Sequence, residues 1–258
     1  GYYCGIAYSF QTGGNILAYK DLREYIAALE ERGLLKRITA EVDPELEITE
    51  ITDRISKREG AENVALLFEN VKGSKMPVLM NAFGSYERMS LAFGVEKLDD
   101  IADELTEILK IPHISLQNKM NLMTLIPMAR KAINFPKYVK NAPCQEVIET
   151  ENPNLDEIPI LKCWPDDGGP FVTLPLVFTK NPETGKRNVG MYRLQKYDSR
   201  TTGMHWHIHK NGAENFRAMK AQGGKRIEAA VAIGTDPVVT YAATAPLPRD
   251  IDEMVLAG

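Results

Sequence analysis

Between Asn188 and Ala213 the chain reads NVGMYRLQKYDSRTTGMHWHIHKNGA, and the period of this stretch decides the class of the second half of the molecule. "NVGMYRLQKYD" and "MHWHIH" are short runs with β-branched and aromatic residues, parted by the turn-like "SRTTG". That is the pattern of strands, not of an amphipathic helix. Side chains alternate along a strand, so His205, His207 and His209, three of the chain's four histidines, would share one face. Three imidazoles on one face can bind a transition metal. The commoner outcome for such a run is one histidine towards the core and the others half exposed. A metal-dependent hydrolase using His205, His207 and His209 is therefore one reading, but no carboxylate at tight spacing completes such a site.

The neighbouring segments extend the strand reading. "PLVFTK" at 175–180 is a strand, and "NPETGKR" at 181–187 is a hairpin-type turn leading into Asn188. "RIEAAVAIG" at 226–234 is a further strand, and "TDPVVTYAATAP" at 235–246 is a helix with Asp236 as N-cap and Pro237 in its first position. Six of the 15 prolines fall between Pro143 and Pro175, which excludes a long helix there. The first half alternates differently. Leu22, Tyr25, Ile26 and Leu29 recur at helical spacing before Gly33, a suitable helix stop. "LLKRI", "NVALLFENV" and "MPVLMNAF" read as strands. Residues 45–57, "SYERMSLAFG" and "KLDDIADELTEILK" read as helices. The expected class is α+β: an α/β domain over 17–120, then a strand-dominated, barrel-like unit over 121–258. Residues 1–16 show no helical period and read as an extension or tag.

Bulk properties narrow the function. At 258 residues there is room for one large or two modest domains, and 44% hydrophobic with 26% charged residues is a soluble globular profile. A net charge of −4 argues against nucleic acid as a partner. No apolar run reaches transmembrane length and no leader pattern is visible, so no stable membrane insertion is expected. Cys4, Cys144 and Cys163, odd in number and far apart, suggest a reducing cytoplasm.

Three residues stand out singly. Arg193 among Met191, Tyr192 and Leu194 asks for an anion, a carboxylate or a phosphate; a surface ion pair at a strand end is the commoner explanation. Asn188 is equally explained as the residue after a turn. Asp250 and Glu253 have capping-box spacing, which accounts for Glu253. A helix starting at Asp250 is too short to be secure without packing.

In combination these segments resemble a known family. "NVGMYRLQ", "MHWHIHKNGA", "AVAIGTDPVVTYAATAPLP" and "DEMVLAG", in that order, are similar to the UbiD decarboxylases, as are "LKCWPDDGGPFVTLPLVFT" and "AYKDLREYIAALEERGLLKRI". The resemblance runs from Leu17 to Gly258. It implies a split β-barrel (flavin-reductase-like) cofactor domain, here incomplete at the C-terminus, that holds prenylated FMN with Mn²⁺ and K⁺ at the cofactor phosphate. It implies Asn188, His209 and Glu253 as metal ligands, a set that suits a fairly hard cation. It sets Thr173, Met191, Tyr192, Arg193, His205, Trp206, His207, Lys210 and Asn211 along the cofactor, with Lys210 near the phosphate and Asn211 where relatives often carry glycine. Arg193 would grip a substrate carboxylate bidentately. The implied reaction is reversible, non-oxidative decarboxylation of an aromatic or α,β-unsaturated acid, in quinone biosynthesis or a related route. A flavin prenyltransferase supplies the cofactor, and the full-length protein is a homo-oligomer. The family's acid–base pair lies beyond "VLAG", so the present chain is expected to be an inactive fragment. A flavin- and metal-holding barrel without catalysis is the alternative.

Overall fold

A computed structural model describes residues 19–109, 139, 142–247 and 252–258. The expected segment 1–16, the boundary near 120 and Asp250 lie outside the described residues. The architecture is mixed α/β. Among the described residues the strands form three separate three-stranded sheets and no closed barrel.

The first sheet has β2 (Ala65–Phe68) at its centre, parallel to β1 (Leu35–Ile38) and antiparallel to β3 (Val78–Met80). All four residues of β2 are buried, as an unbroken ALLF run requires when both faces are covered. Leu66 and Phe68 face helix α2 (Glu47–Ser56), packing with Ile48 and Val71. Ala65 faces α1 (Leu22–Glu31) and α3 (Tyr86–Phe93), packing with Tyr25, Leu29 and Ala92. The caps explain the boundaries. Asp21 accepts the N–H of Arg23 and Glu24 at 2.9 and 3.1 Å, and Ser85 accepts that of Arg88 at 3.2 Å. Gly94 ends α3 in the left-handed region at φ 66°, where a side chain would be strained. Helix α4 follows at Leu98–Leu109.

Two further sheets carry the second half. β5 (Leu176–Lys180) lies between β6 (Arg187–Met191) and β9 (Ala229–Ala232), all antiparallel. β7 (Leu194–Lys196) lies between β4 (Phe171–Val172) and β8 (Thr202–Met204). The hairpin expected at 181–187 is present; the Asn181 side chain accepts the N–H of Glu183 and Thr184, and Gly185 takes φ 69°. Helix α6 (Pro237–Ala242) starts as its sequence predicts, with Asp236 accepting from Val238 and Val239. Helix α5 (Asn211–Ala221) was not anticipated. Its signals are Phe216 and Met219 at helical spacing and the stop at Gly223-Gly224.

Three expectations need correction. "NVGMYRLQKYD" is not one strand: it breaks at Tyr192-Arg193, so β6 belongs to one sheet and β7 to the other. A strand that changes sheets in this way makes a corner between two packed layers. Val177 of β5 accordingly packs with Tyr192 and Leu194 across the gap. "MHWHIH" is strand only as far as Met204; His205–His207 is irregular and His209 sits in a turn, so period-2 alternation does not govern the histidines. Finally, the terminal helix α7 (Glu253–Ala257) is short but well anchored. Met254 is buried in the cluster of Leu176, Val189 and Ala243, and the N-cap is Asp252, whose carboxylate accepts from Met254 at 3.0 Å. Glu253 is thus the first helical residue, not the fourth member of a box begun at Asp250.

Candidate functional site

The corner at Tyr192-Arg193 opens onto a cleft of ≈ 730 Å³. That volume is within the range of small-molecule and cofactor sites. Strand β6 forms its floor through Asn188–Met191. The irregular run after β8 and the start of α5 form one wall, and residues 243–247 with Glu253 form another. Thr173, Met191, Tyr192, Arg193, His205, His207, Lys210 and Asn211 line it, as do Asn188, His209 and Glu253. Trp206 is absent from the lining. It lies edge-on to Tyr192, with ring centroids 6.3 Å apart, in the packing behind the wall.

The deep end of the cleft is a double latch. Arg187 and Asn188 of β6 face Asp252 and Glu253 of α7. Arg187 forms an ion pair with Asp252. Asn188 Nδ2 donates to Glu253 Oε1 at 2.6 Å, and the Val189 N–H donates to Glu253 Oε2 at 2.7 Å. Glu253 is 3% exposed. Burial pushes its carboxyl up from the ordinary range, partly offset by these donors. Tyr192 closes the arrangement: its hydroxyl accepts the Gly212 N–H at 3.2 Å and donates to Asn188 Oδ1 at 3.4 Å. Burial also raises the Tyr192 phenol. A Cβ on Gly190 would collide with the Tyr192 ring, and one on Gly212 would crowd the Trp206 indole first and Tyr192 next.

The mouth carries two cations, Arg193 and Lys210. Arg193, His205, His207, His209 and Lys210 are all exposed there, and Glu253 is the one acid among the described lining residues. No described carboxylate pairs with Arg193. Its guanidinium lies over the Phe171 ring, 5.3 Å from the centroid. The surface ion pair, the commoner explanation for this arginine, is not found among the described residues. Helix α5 begins at this mouth, with Lys210 as a cap residue that makes no side-chain capping bond. The positive end of the helix dipole therefore adds to the field. Trp206 Nε1–H, nearby, is buried without a hydrogen-bond partner among the described residues.

The histidines do not gather as the hydrolase reading requires. The rings of His205 and His207 touch, with centroids 4.8 Å apart. Among the described residues, however, no group of three His, Cys, Asp or Glu side chains is placed to hold a metal ion. The donors that do come together, a buried amide and carboxylate with an imidazole on the same cleft, are of the type that takes a hard or borderline cation. Each Glu253 oxygen keeps a free lone pair beyond its present hydrogen bond. Sequence reasoning missed the Arg187–Asp252 pair, the Tyr192 latch and the 243–247 wall, because their partners lie 20 to 65 residues apart.

The chain matches known proteins in both of its halves. Residues 137–258 match the 3-octaprenyl-4-hydroxybenzoate carboxy-lyase Rift-related domain, and residues 26–105 match the N-terminal domain of the same carboxy-lyase. An uncharacterized protein of Archaeoglobus fulgidus is 51% identical over 94% of this chain, and one of Aquifex aeolicus is 46% identical over 93%. Among solved structures, the vanillic acid decarboxylase of Sedimentibacter hydroxybenzoicus in closed form is 30% identical with a TM-score of 0.76, over 93% of this chain and 48% of that one. The UbiD-class enzyme HmfF of Pelotomaculum thermopropionicum, in complex with FMN, is 28% identical with a TM-score of 0.73, over 92% and 47%. An evolved dimeric form of HmfF was solved with prenylated FMN. The chain spans about half the length of the curated relatives it matches, 49% of each. Among the described residues no helix is long and apolar enough to cross a membrane.

Proposed function

We propose, because this chain belongs to the UbiD family of carboxy-lyases, that it is the flavin- and metal-holding part of a decarboxylase acting on an aromatic or α,β-unsaturated carboxylic acid. One observation carries the reading. An arginine with no carboxylate partner among the described residues and a buried amide–carboxylate pair open onto the same cleft, one at its mouth and the other at its deep end.

The donor set fits the cofactor and its ion. Asn188, His209 and Glu253 would hold a divalent cation such as Mn²⁺. The cation, the α5 N-terminus and Lys210 together answer a phosphate monoester, with K⁺ as a further counter-ion there. The packing of β5–β6–β9 against β4–β7–β8 supports assigning this half to a split barrel. Prenylated FMN, when bound, supplies the electron-accepting centre that makes loss of CO₂ feasible. This chain's own contribution is to bind and orient. Arg193 takes the substrate carboxylate through two parallel N–H···O bonds. Phe171 steadies the guanidinium without cancelling its charge, so the full charge remains for the acid. Tyr192 and Trp206 exclude water from the floor behind it. Among the described lining residues Glu253 is the one acid, and it is tied up with Asn188 and Val189, so no proton donor is assigned within the cleft.

The test is a binding and turnover series. FMN should bind the chain more tightly with Mn²⁺ than without, and Asn188→Ala or Glu253→Ala should abolish that gain. Arg193→Ala should leave it intact. With prenylated FMN, the 258 residues alone should release no CO₂. Stoichiometric zinc with no flavin affinity would refute the assignment.

A further inference from the structure

Behind the cleft, a second and smaller cavity of ≈ 100 Å³ lies between α3 and α6. No polar surface lines it. Ala92 and Phe93 of α3 form one side, and Tyr241 of α6 the other, with Phe93 edge-on to Tyr241 at 5.0 Å between centroids. Leu174 stands at its rim and is 50% exposed. Two residues, Met191 and Thr244, line both this cavity and the large cleft, so the two spaces share a wall.

The position of that wall matters. Met191 and Arg193 both line the cleft, whereas Tyr192 between them is buried. The chain leaves the strand between them, and two residues span at most roughly 7 Å. The far end of a ligand whose carboxylate rests on Arg193, about one aromatic ring away, is then within reach of Met191, which lines the same cleft. Methionine is unbranched and turns aside readily to admit an apolar group. The space beyond is about two thirds of the roughly 150 Å³ apolar cavity that accepts benzene, which is room for about four carbons.

We propose that this cavity is a specificity subsite. It takes a short aliphatic substituent on the acid held by Arg193, with Met191 as the gate and Phe93, Leu174 and Tyr241 as the walls. The inference rests on the carboxylic-acid reading above and adds the shape of the acid: a carboxylate at one end and a branched or linear alkyl group of up to four carbons at the other.

The test uses the whole chain loaded with FMN and Mn²⁺, with benzoate, 4-ethylbenzoate, 4-butylbenzoate and 4-octylbenzoate as probes in ligand-observed NMR titrations. Affinity should rise about three- to fourfold per methylene up to butyl and then level off. Leu174→Trp, a change at an exposed rim, should close the cavity and flatten the series without altering FMN or benzoate binding. Phe93→Ala should enlarge it and move the plateau beyond butyl. A series that is flat in the native chain overturns the proposal, and so does a plateau that neither variant moves. If benzoate binding is insensitive to Arg193→Ala, or FMN does not bind, the carboxylic-acid reading itself fails and takes the subsite with it. An alkyl series that fails while both of those controls succeed removes the subsite alone.

Discussion

Replacing Glu253 with alanine removes one of the two acids, Asp252 and Glu253, that join the start of α7 to β6. Its carboxylate accepts from Asn188 Nδ2 at 2.6 Å and from the Val189 N–H at 2.7 Å, and both donors are buried. A hydrogen bond to a charged group contributes about 1.5–3 kcal/mol, and a buried donor left alone costs about 1–3 kcal/mol. Relief of the desolvation that raises the Glu253 pKa acts in the other direction. The balance is a loss of about 3 kcal/mol, against a total stability of roughly 5–15 kcal/mol for a domain. For a chain of this size that lowers Tm by about 6–12 °C. α7 would also come free of Arg187, because the Asp252 cap and Glu253 are adjacent on one turn. The assay is thermal unfolding followed by circular dichroism, with and without Mn²⁺ and FMN. The variant should melt lower, and the ligands should no longer raise its Tm. A variant melting within about 1 °C of the parent, or gaining as much from Mn²⁺ and FMN, would refute both the latch and the role in metal binding.

Three further outcomes follow from the same geometry. Asp236 caps α6, but burial lifts its carboxyl to about 6, and Oδ2 has no hydrogen-bond partner. The folded chain therefore holds this proton more tightly than the unfolded one, whose carboxyl titrates near 3.9. Its contribution to stability is complete below about pH 4 and is lost as pH rises through about 6, a change on the order of 2–3 kcal/mol. Asp236→Asn keeps the capping oxygen and should abolish that slope; equal pH dependence of the urea midpoint in both chains would count against it. Gly190→Ala forces the Tyr192 hydroxyl out of its place between Gly212 and Asn188, so it should cost about 1–3 kcal/mol and weaken Mn²⁺ binding, measurable by isothermal titration. Arg193→Lys should retain FMN but bind benzoate at least about tenfold more weakly, because a point charge cannot replace a planar fork; unchanged benzoate affinity would remove the bidentate role.

Much of the fold was legible because its causes are local. Asp21, Ser85 and Asp236 name their helices by the bonds their own side chains make two or three residues on. The unbroken ALLF of β2 declares a strand covered on both faces, and Asn181 with Gly185 declares a hairpin. The candidate site was legible for a different reason. Arg193 in apolar company, and the long matches around Asn188, His209 and Glu253, marked the residues, although no spacing rule said what they would face.

Those facings were settled by tertiary structure. Alternation along "MHWHIH" put three histidines on one face, but the strand ends at Met204 once β8 has no further residues of β7 to pair with, and the turn that follows turns His209 on its own course. A single strand was expected over "NVGMYRLQKYD"; the Tyr192 ring lies against Gly190, and the chain leaves the strand there to enter a second sheet. Glu253 reads as a capping residue in isolation and becomes a buried latch only when a strand 65 residues away presents an amide and an N–H to it. Caps, turns and burial period are written within a few residues, so the amino-acid order alone determines them. Which buried donor meets which acceptor depends on how sheets and helices close on one another, and that is decided only when the whole core packs.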